Sequence, residues 1–299
     1  MSFSNLKRSR KSAFEQLTKA VETATKSNTR SADERFWKPT VDASGNGSAI
    51  IRFLPPAEGE DVPFVRYWDH GFQGPGGWYI EKSLTTIGQD DPVSEMNGQL
   101  WATGVKANRD LVSRERKRRL HYVSNIYVIK DPGNPSNEGK VFLYEYGKKI
   151  FDKINDLMHP EFEDETAVNP FDLWEGADFR LRIRKYEGYR NYDKSEFDSP
   201  SALLDGDDEK LEQVYNQLFE LQEFVDPKNF KSYAELEARL ARVLGPAGSA
   251  AAAHAADEDE QAPAWSPPAA EAKESEQAPW DAGSDDEDDD LAYFRDLAS

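Results

Sequence analysis

Charge is sorted along this chain, and the sorting limits which residues can fold. Residues 245–299 hold fifteen Asp/Glu against two Lys/Arg, a net −13, on a background rich in Ala and Pro. A segment of this kind cannot bury enough apolar surface to offset its ordering entropy, so it is expected to be disordered. Residues 1–30 are the reverse, with seven Lys/Arg against two Glu, a net +5. A packed core must therefore come from residues 31–244, which are numerous enough to bury one. The layout is an arm (1–30), a core (31–244) and a tail (245–299).

The arm carries Leu6, Phe14, Leu17 and Val21 at helical spacing, which predicts a helix from about Ser12 to Thr25. Such a short helix is marginal without a partner surface. In the core, strand-like runs alternate with turn signals: Ala49–Leu54, Phe64–Trp68, Gly77–Glu81, Tyr122–Ile129, Val141–Tyr146 and Phe179–Lys185. Helical patterns cover Lys148–His159, residues 208–225 and residues 231–244. The tail ends on a small apolar-acidic tip, Asp288, Asp289, Asp290, Leu291, Tyr293, Phe294 and Leu297.

The chain has no cysteine, which excludes disulfides, thiolate metal sites and cysteine nucleophiles. Its four histidines are scattered at 70, 121, 159 and 254. No apolar run reaches membrane-spanning length, and Met1–Lys7 lacks the apolar stretch of a signal peptide, so a cytoplasmic location is expected and a membrane partner is not.

The net charge of −19 argues against a nucleic-acid partner until its distribution is read. Residues 101–153 hold twelve Lys/Arg against six Asp/Glu, and the local field, not the sum, steers a polyanion. Three clusters interleave cations with aromatics. Arg114, Arg116, Lys117, Arg118 and Arg119 lead into His121 and Tyr122. Tyr144 and Tyr146 precede Lys148 and Lys149. Arg180, Arg182 and Arg184 precede Tyr186, Tyr189, Arg190 and Tyr192. Cations neutralise phosphates, and aromatic faces stack unpaired bases with little sequence preference. Aromatics at period two also suit a core; the recurrence of three such clusters in an acidic chain favours an anionic partner. The expected fold class is α+β: a five-stranded barrel of the OB type with an added helical subdomain.

Several stretches together resemble the single-stranded DNA-binding, or helix-destabilising, proteins of T-even-like bacteriophages. They are Asp42–Gly47 with Ile51–Pro55, His70–Phe72 with Trp78–Glu81, Lys130–Pro132, Asn137–Phe142, Gly147–Ile154, Trp174–Ala177 and Asn191–Asp193. The resemblance implies a protein that coats single strands cooperatively and without catalysis during phage replication, recombination and repair, in the cytoplasm of the infected host. It implies base-stacking aromatics at Trp78, Trp101, Tyr122, Tyr144, Tyr189 and Tyr192. It implies a basic motif at Lys117, Arg118 and Arg119. It also implies a subunit-docking motif at Lys7, Arg8, Ser9, Arg10, Lys11 and Ser12. Partners would be single-stranded DNA, further copies along the lattice, and a polymerase, helicase loader or recombinase mediator recruited by the tail. The tail would also guard the cleft when DNA is absent.

The chain departs from the family at a structural zinc held by one histidine and three cysteines. The histidine falls on His70, the cysteine positions on Ser83, Asp91 and Ser94. Hydroxyls are poor zinc ligands, so no cofactor is expected; the loop from Ser83 to Asn97 must then be held by packing or be looser, and a solvated acidic loop is expected in preference to a residual site on His70 with Asp90 or Asp91. Two alternatives stay open: an RNA-binding translational regulator, since stacking accepts either polymer, and a metal-dependent nuclease using Asp90-Asp91 or Asp207-Asp208. The absence of a Gly-rich loop followed by Lys-Ser/Thr argues against an ATPase.

Overall fold

The structure is a computed structural model that describes residues 33–162, 164–186 and 188–245. The helix expected in the arm, the docking motif implied at Lys7–Ser12 and the tail tip lie outside the described residues.

Eight strands form one sheet: β1 (Gly47–Phe53), β2 (Phe64–Gly74), β3 (Gly77–Lys82), β4 (Arg119–Lys130), β5 (Val141–Tyr146), β6 (Phe179–Tyr186), β7 (Tyr189–Asn191) and β8 (Glu196–Phe197). Among the described residues five α-helices accompany it: α1 (Pro92–Ala102), α2 (Lys106–Leu111), α3 (Lys148–Met158), α4 (Asp208–Tyr215) and α5 (Tyr233–Leu244). The long strand β4 organises the sheet. On one edge its first half pairs antiparallel with β2 and its second half with β1, while its other edge pairs with β5.

The α+β class is as expected, but backbone pairing does not close the sheet into a barrel. The strand path runs β3-β2-β4-β1-β6-β7, with β5 on β4 and β8 on β6. The outer edge of β5 is taken by Arg35–Trp37. Leu143 N donates to the Arg35 carbonyl and Trp37 N to the Leu143 carbonyl, each at 2.8 Å. That short parallel segment satisfies the groups a closing strand would need.

One core gathers Ile51, Phe53, Tyr122, Tyr144, Tyr146, Phe179, Leu181 and Ile183 from the sheet under Ile150 and Ile154 of α3. A second joins Phe72 and Tyr79 of the β2–β3 hairpin to Val93 of α1 and to Leu236, Leu240 and Val243 of α5. The hairpin turn presses on the end of α5: Gly76 N donates to the Val243 carbonyl at 2.8 Å, and a Cβ on Gly76 would meet the Arg242 carbonyl at 2.0 Å. Only glycine fits there.

Two expectations are corrected. The helix expected over 208–225 stops at Tyr215, because the buried Asn125 side chain clamps the chain beyond it. Asn125 Nδ2 donates to the Phe219 carbonyl at 2.8 Å, and Phe219 N donates back to Oδ1 at 2.9 Å. The segment expected as a solvated acidic loop is instead a 3₁₀ turn (Leu84–Ile87) followed by α1, with Ser83, Asp91 and Ser94 buried.

Candidate nucleic-acid interface

The cationic residues between α2 and β4 are pinned individually. Val112–Arg116 forms a π turn that delivers Lys117 to an extended conformation at the entrance of β4. Asn97 Nδ2 donates to the Arg116 carbonyl at 2.8 Å, and the Arg116 guanidinium lies 5.6 Å from the Phe72 ring, with burial lowering its pKa. Arg118 lies 3.9 Å over the Trp68 ring and donates to Thr85 Oγ1 at 3.0 Å. Arg119 donates to the Gly71 carbonyl at 2.8 Å. All of Arg116–Arg119 are half-buried, so this basic run is a braced ridge between the β2–β3 hairpin and α1. Trp78 stands exposed on that hairpin, and Arg109 covers Trp101 at 5.3 Å. The stacked Trp68 was absent from the sequence expectations; its place on a strand facing β4 gave no sign of it.

Tyr122, Tyr144 and Tyr146 are corrected as stacking platforms. Each is at most 5% exposed, and Tyr122 already stacks on Phe151 at 4.0 Å with its ring plane tilted by 7°. Burial raises the Tyr144 and Tyr146 hydroxyls well above the ordinary tyrosine value, and Tyr146 shares a hydrogen bond with Ser124 at 2.8 Å. Trp37 and Phe53 fill the remaining ring edges. These tyrosines alternate along strands because they face the core. Lys148 and Lys149 are half-buried at the start of α3, with Lys148 3.5 Å from Asp152.

The β6–β7 hairpin is different. Phe179, Leu181 and Ile183 point inward, so Arg180, Arg182 and Arg184 point out, as period two requires. Each arginine meets an acid from the following chain: Arg180 with Asp198 at 2.5 Å, Arg182 with Glu196 at 3.2 Å, and Arg184 with Asp193 through Nε at 2.9 Å. The strand face is therefore internally neutralised. At the hairpin end, Tyr186 and Tyr189 are cross-strand partners, 53% and 48% exposed. Lys185 and Arg190, the adjacent pair, are exposed and form no ion pair among the described residues. Tyr192 is half-buried against the main core.

His70 is the position at which the resemblance implies a zinc ligand. Its Nε2 faces Asp91 Oδ1 at 3.0 Å, and both are buried. Asp91 is also the N-cap of α1: Oδ1 accepts from Val93 N and Ser94 N, and Oδ2 from Leu84 N at 3.1 Å. Burial acts to raise the Asp91 carboxyl, but the His70 hydrogen bond and charge and the amides of Ser94 and Leu84 outweigh it and hold it at about 2. Ser83 Oγ pairs with Thr85 at 2.9 Å. Two hydroxyls, a carboxylate occupied by three amides and one imidazole do not fit tetrahedral zinc. Among the described residues no three His, Cys, Asp or Glu converge for a metal. The other acidic pair, Asp207-Asp208, opens α4, with Asp207 as N-cap and bound to Lys210 at 2.9 Å. Both pairs considered for a nuclease therefore serve helix starts.

The chain is 41% identical over 240 residues to the single-stranded DNA-binding proteins of Enterobacteria phage T2 and Enterobacteria phage T4, covering 78% of this chain and 78% of each relative. A single-stranded DNA-binding protein of Escherichia phage SV14 is 46% identical over 61 residues, 20% of this chain and 54% of that relative. Residues 45–244 match the family described as gp32 DNA binding protein like. The chain belongs to that family.

Proposed function

We propose that this protein binds single-stranded DNA without sequence preference and without catalysis, coating it contiguously during phage DNA replication, recombination and repair in the infected cell. The observation that carries the reading is the β6–β7 hairpin end. Two exposed rings, Tyr186 and Tyr189, lie beside two cations, Lys185 and Arg190, that no acid of the described chain neutralises. Rings stack on unpaired bases while the cations meet phosphates, and duplex DNA hides the base faces. Trp78 and the Lys117–Arg119 ridge extend the same chemistry on the β2–β3 side. The family membership and the printed function of the T2 and T4 relatives support it. An OB-type barrel is the finer form of the fold, supported by the single core shared by β1, β4, β5 and β6. The arm links neighbouring copies, and the acidic tail contests the cleft and recruits replication proteins. No metal takes part, because the His70 region is held by hydrogen bonds.

Fluorescence-quenching titration with single- and double-stranded oligonucleotides across a salt series tests this. Tyr186→Ala and Tyr189→Ala should each weaken single-strand binding by roughly tenfold. Replacing Lys185 and Arg190 by Ala should reduce the slope of log K against log salt by about 1.4. Equal affinity for duplex, or unchanged binding in the tyrosine variants, would remove the reading.

A further inference from the structure

The hydroxyl and the ring that hold Arg118 are both governed by one short element, the 3₁₀ turn Leu84–Ile87. Thr85 Oγ1 accepts from Arg118 Nη1 at 3.0 Å, and the guanidinium carbon lies 3.9 Å from the centre of the Trp68 ring. The next residue of the turn holds the tryptophan. Thr86 Oγ1 accepts from Trp68 N at 2.8 Å, and the Trp68 carbonyl accepts from Ser83 N, the cap of the turn, at 2.8 Å. The ring sets where the guanidinium lies, and the Thr85 hydroxyl sets its rotation.

The turn is itself fixed from within. Ser83 is buried, with its Oγ 2.9 Å from Thr85 Oγ1 and accepting from Thr85 N at 3.4 Å. Leu84 N donates to the buried Asp91 carboxylate at 3.1 Å, and the other oxygen of that carboxylate faces His70 Nε2 at 3.0 Å. A continuous line of hydrogen bonds therefore runs from the interior of the hairpin, through the turn, to one cation of the ridge.

These supports differ in kind from those of the β6 arginines. Arg180, Arg182 and Arg184 are each met by a carboxylate, which orders the side chain and cancels its charge. The indole and the hydroxyl at Arg118 are neutral, so they order the side chain and leave its charge in place. A cation ordered in advance loses less conformational entropy when a phosphate arrives.

We propose that Thr85 and Trp68 are positioning residues for a phosphate contact that Arg118 makes with single-stranded DNA. The assignment rests on the single-strand reading above; it names two side chains, neither of them basic, through which one cation of the ridge is made competent.

The full chain is titrated, across a salt series, with an oligo(dT) that holds one copy and with a duplex of equal length. Arg118→Ala should lower single-strand affinity about tenfold and reduce the slope of log K against log salt by about 0.7. Thr85→Val keeps the shape and removes the acceptor; it should lower affinity about threefold where Arg118 is present and not at all in the Arg118→Ala background. Trp68→Leu should show the same dependence on Arg118. Thr85→Ser, which keeps the hydroxyl, should bind as the unaltered protein does. A general loosening of the hairpin would instead weaken binding equally in both backgrounds, and that result overturns the assignment. So does an unchanged salt slope in Arg118→Ala, or full affinity in Thr85→Val. Thr85→Val carries the test should Trp68→Leu fail to fold. Equal affinity of the unaltered protein for duplex overturns the single-strand reading and this assignment with it; a single-strand preference with no dependence on Arg118 overturns the assignment alone.

Discussion

Arg52 carries its charge into the interior, where Asp178 Oδ1 accepts from Nε at 2.7 Å and the Ser201 carbonyl from Nη2 at 3.0 Å. In the sequence it is indistinguishable from Arg180 or Arg190: an arginine among strand residues. Its burial depends on Asp178 and Ser201, distant in the chain, and no local pattern announces them. The same blindness affected Tyr122, Tyr144 and Tyr146. Alternation showed correctly that they share a face, but whether that face meets solvent or α3 was set by packing. Exposure at Tyr186 and Tyr189 was more legible, because both sit at the end of a hairpin with Gly188 between them. His121 yields a prediction at this scale. It stacks on Tyr67 at 5.1 Å, with Nε2 3.1 Å from Asp69 and Nδ1 3.2 Å from Glu145. Burial alone would lower its pKa, but the hydrogen bonds and charges of the two carboxylates prevail and raise it from 6.5 to about 10. The folded state therefore holds this proton more tightly than the unfolded chain. The stabilisation is complete below about pH 6.5 and is lost as pH rises through about 10. Urea midpoints should fall over that window, and His121→Gln should flatten the fall. Parallel pH curves for the two proteins would show that the cluster contributes nothing.

At the scale of elements, the strands were readable and the helices only partly so. Val141–Tyr146 appears with the ends expected, and β6 with its inward Phe-Leu-Ile and outward arginines, because alternation records which face is buried. α1 was missed because its buried face, Val93, Ser94, Asn97 and Gly98, is mostly small or polar and gives no apolar stripe. The start signal was present: Asp91 followed by Pro92 is an N-cap followed by proline in the first turn. Asp91→Ala should remove the carboxylate that accepts from three backbone amides and strand His70, costing about 3 kcal/mol. Asp91→Asn, which keeps a capping oxygen, should cost less. A chelator should leave the unaltered protein's melting temperature unchanged, since Asp91 already joins His70 to the amides of Leu84, Val93 and Ser94. A fall in melting temperature on chelation, reversed by zinc, would show a metal site that these residues do not suggest.

For the whole molecule, the three-part charge layout was the most legible feature, since counting alone reveals it. The tail's net −13 lies on the same chain as the cationic ridge and hairpin. Deleting residues 257–299 should accelerate capture of single strands and melting of duplex at low salt, with the difference closing as salt screens both. Stopped-flow rates measure this; identical rates at every salt concentration would show that the tail does not contest the cleft. The topology has a further consequence, for the chain as it is made. Ile50 of β1 pairs with Lys130 of β4, and Phe64 of β2 with Ser124. Both early strands thus leave the ribosome well before the strand that joins them. At about 5–20 residues per second, β1 waits on the order of ten seconds. During that interval only the β2–β3 hairpin can close. Synthesis therefore leaves two strand edges with unpaired backbone N–H and C=O groups until β4 arrives.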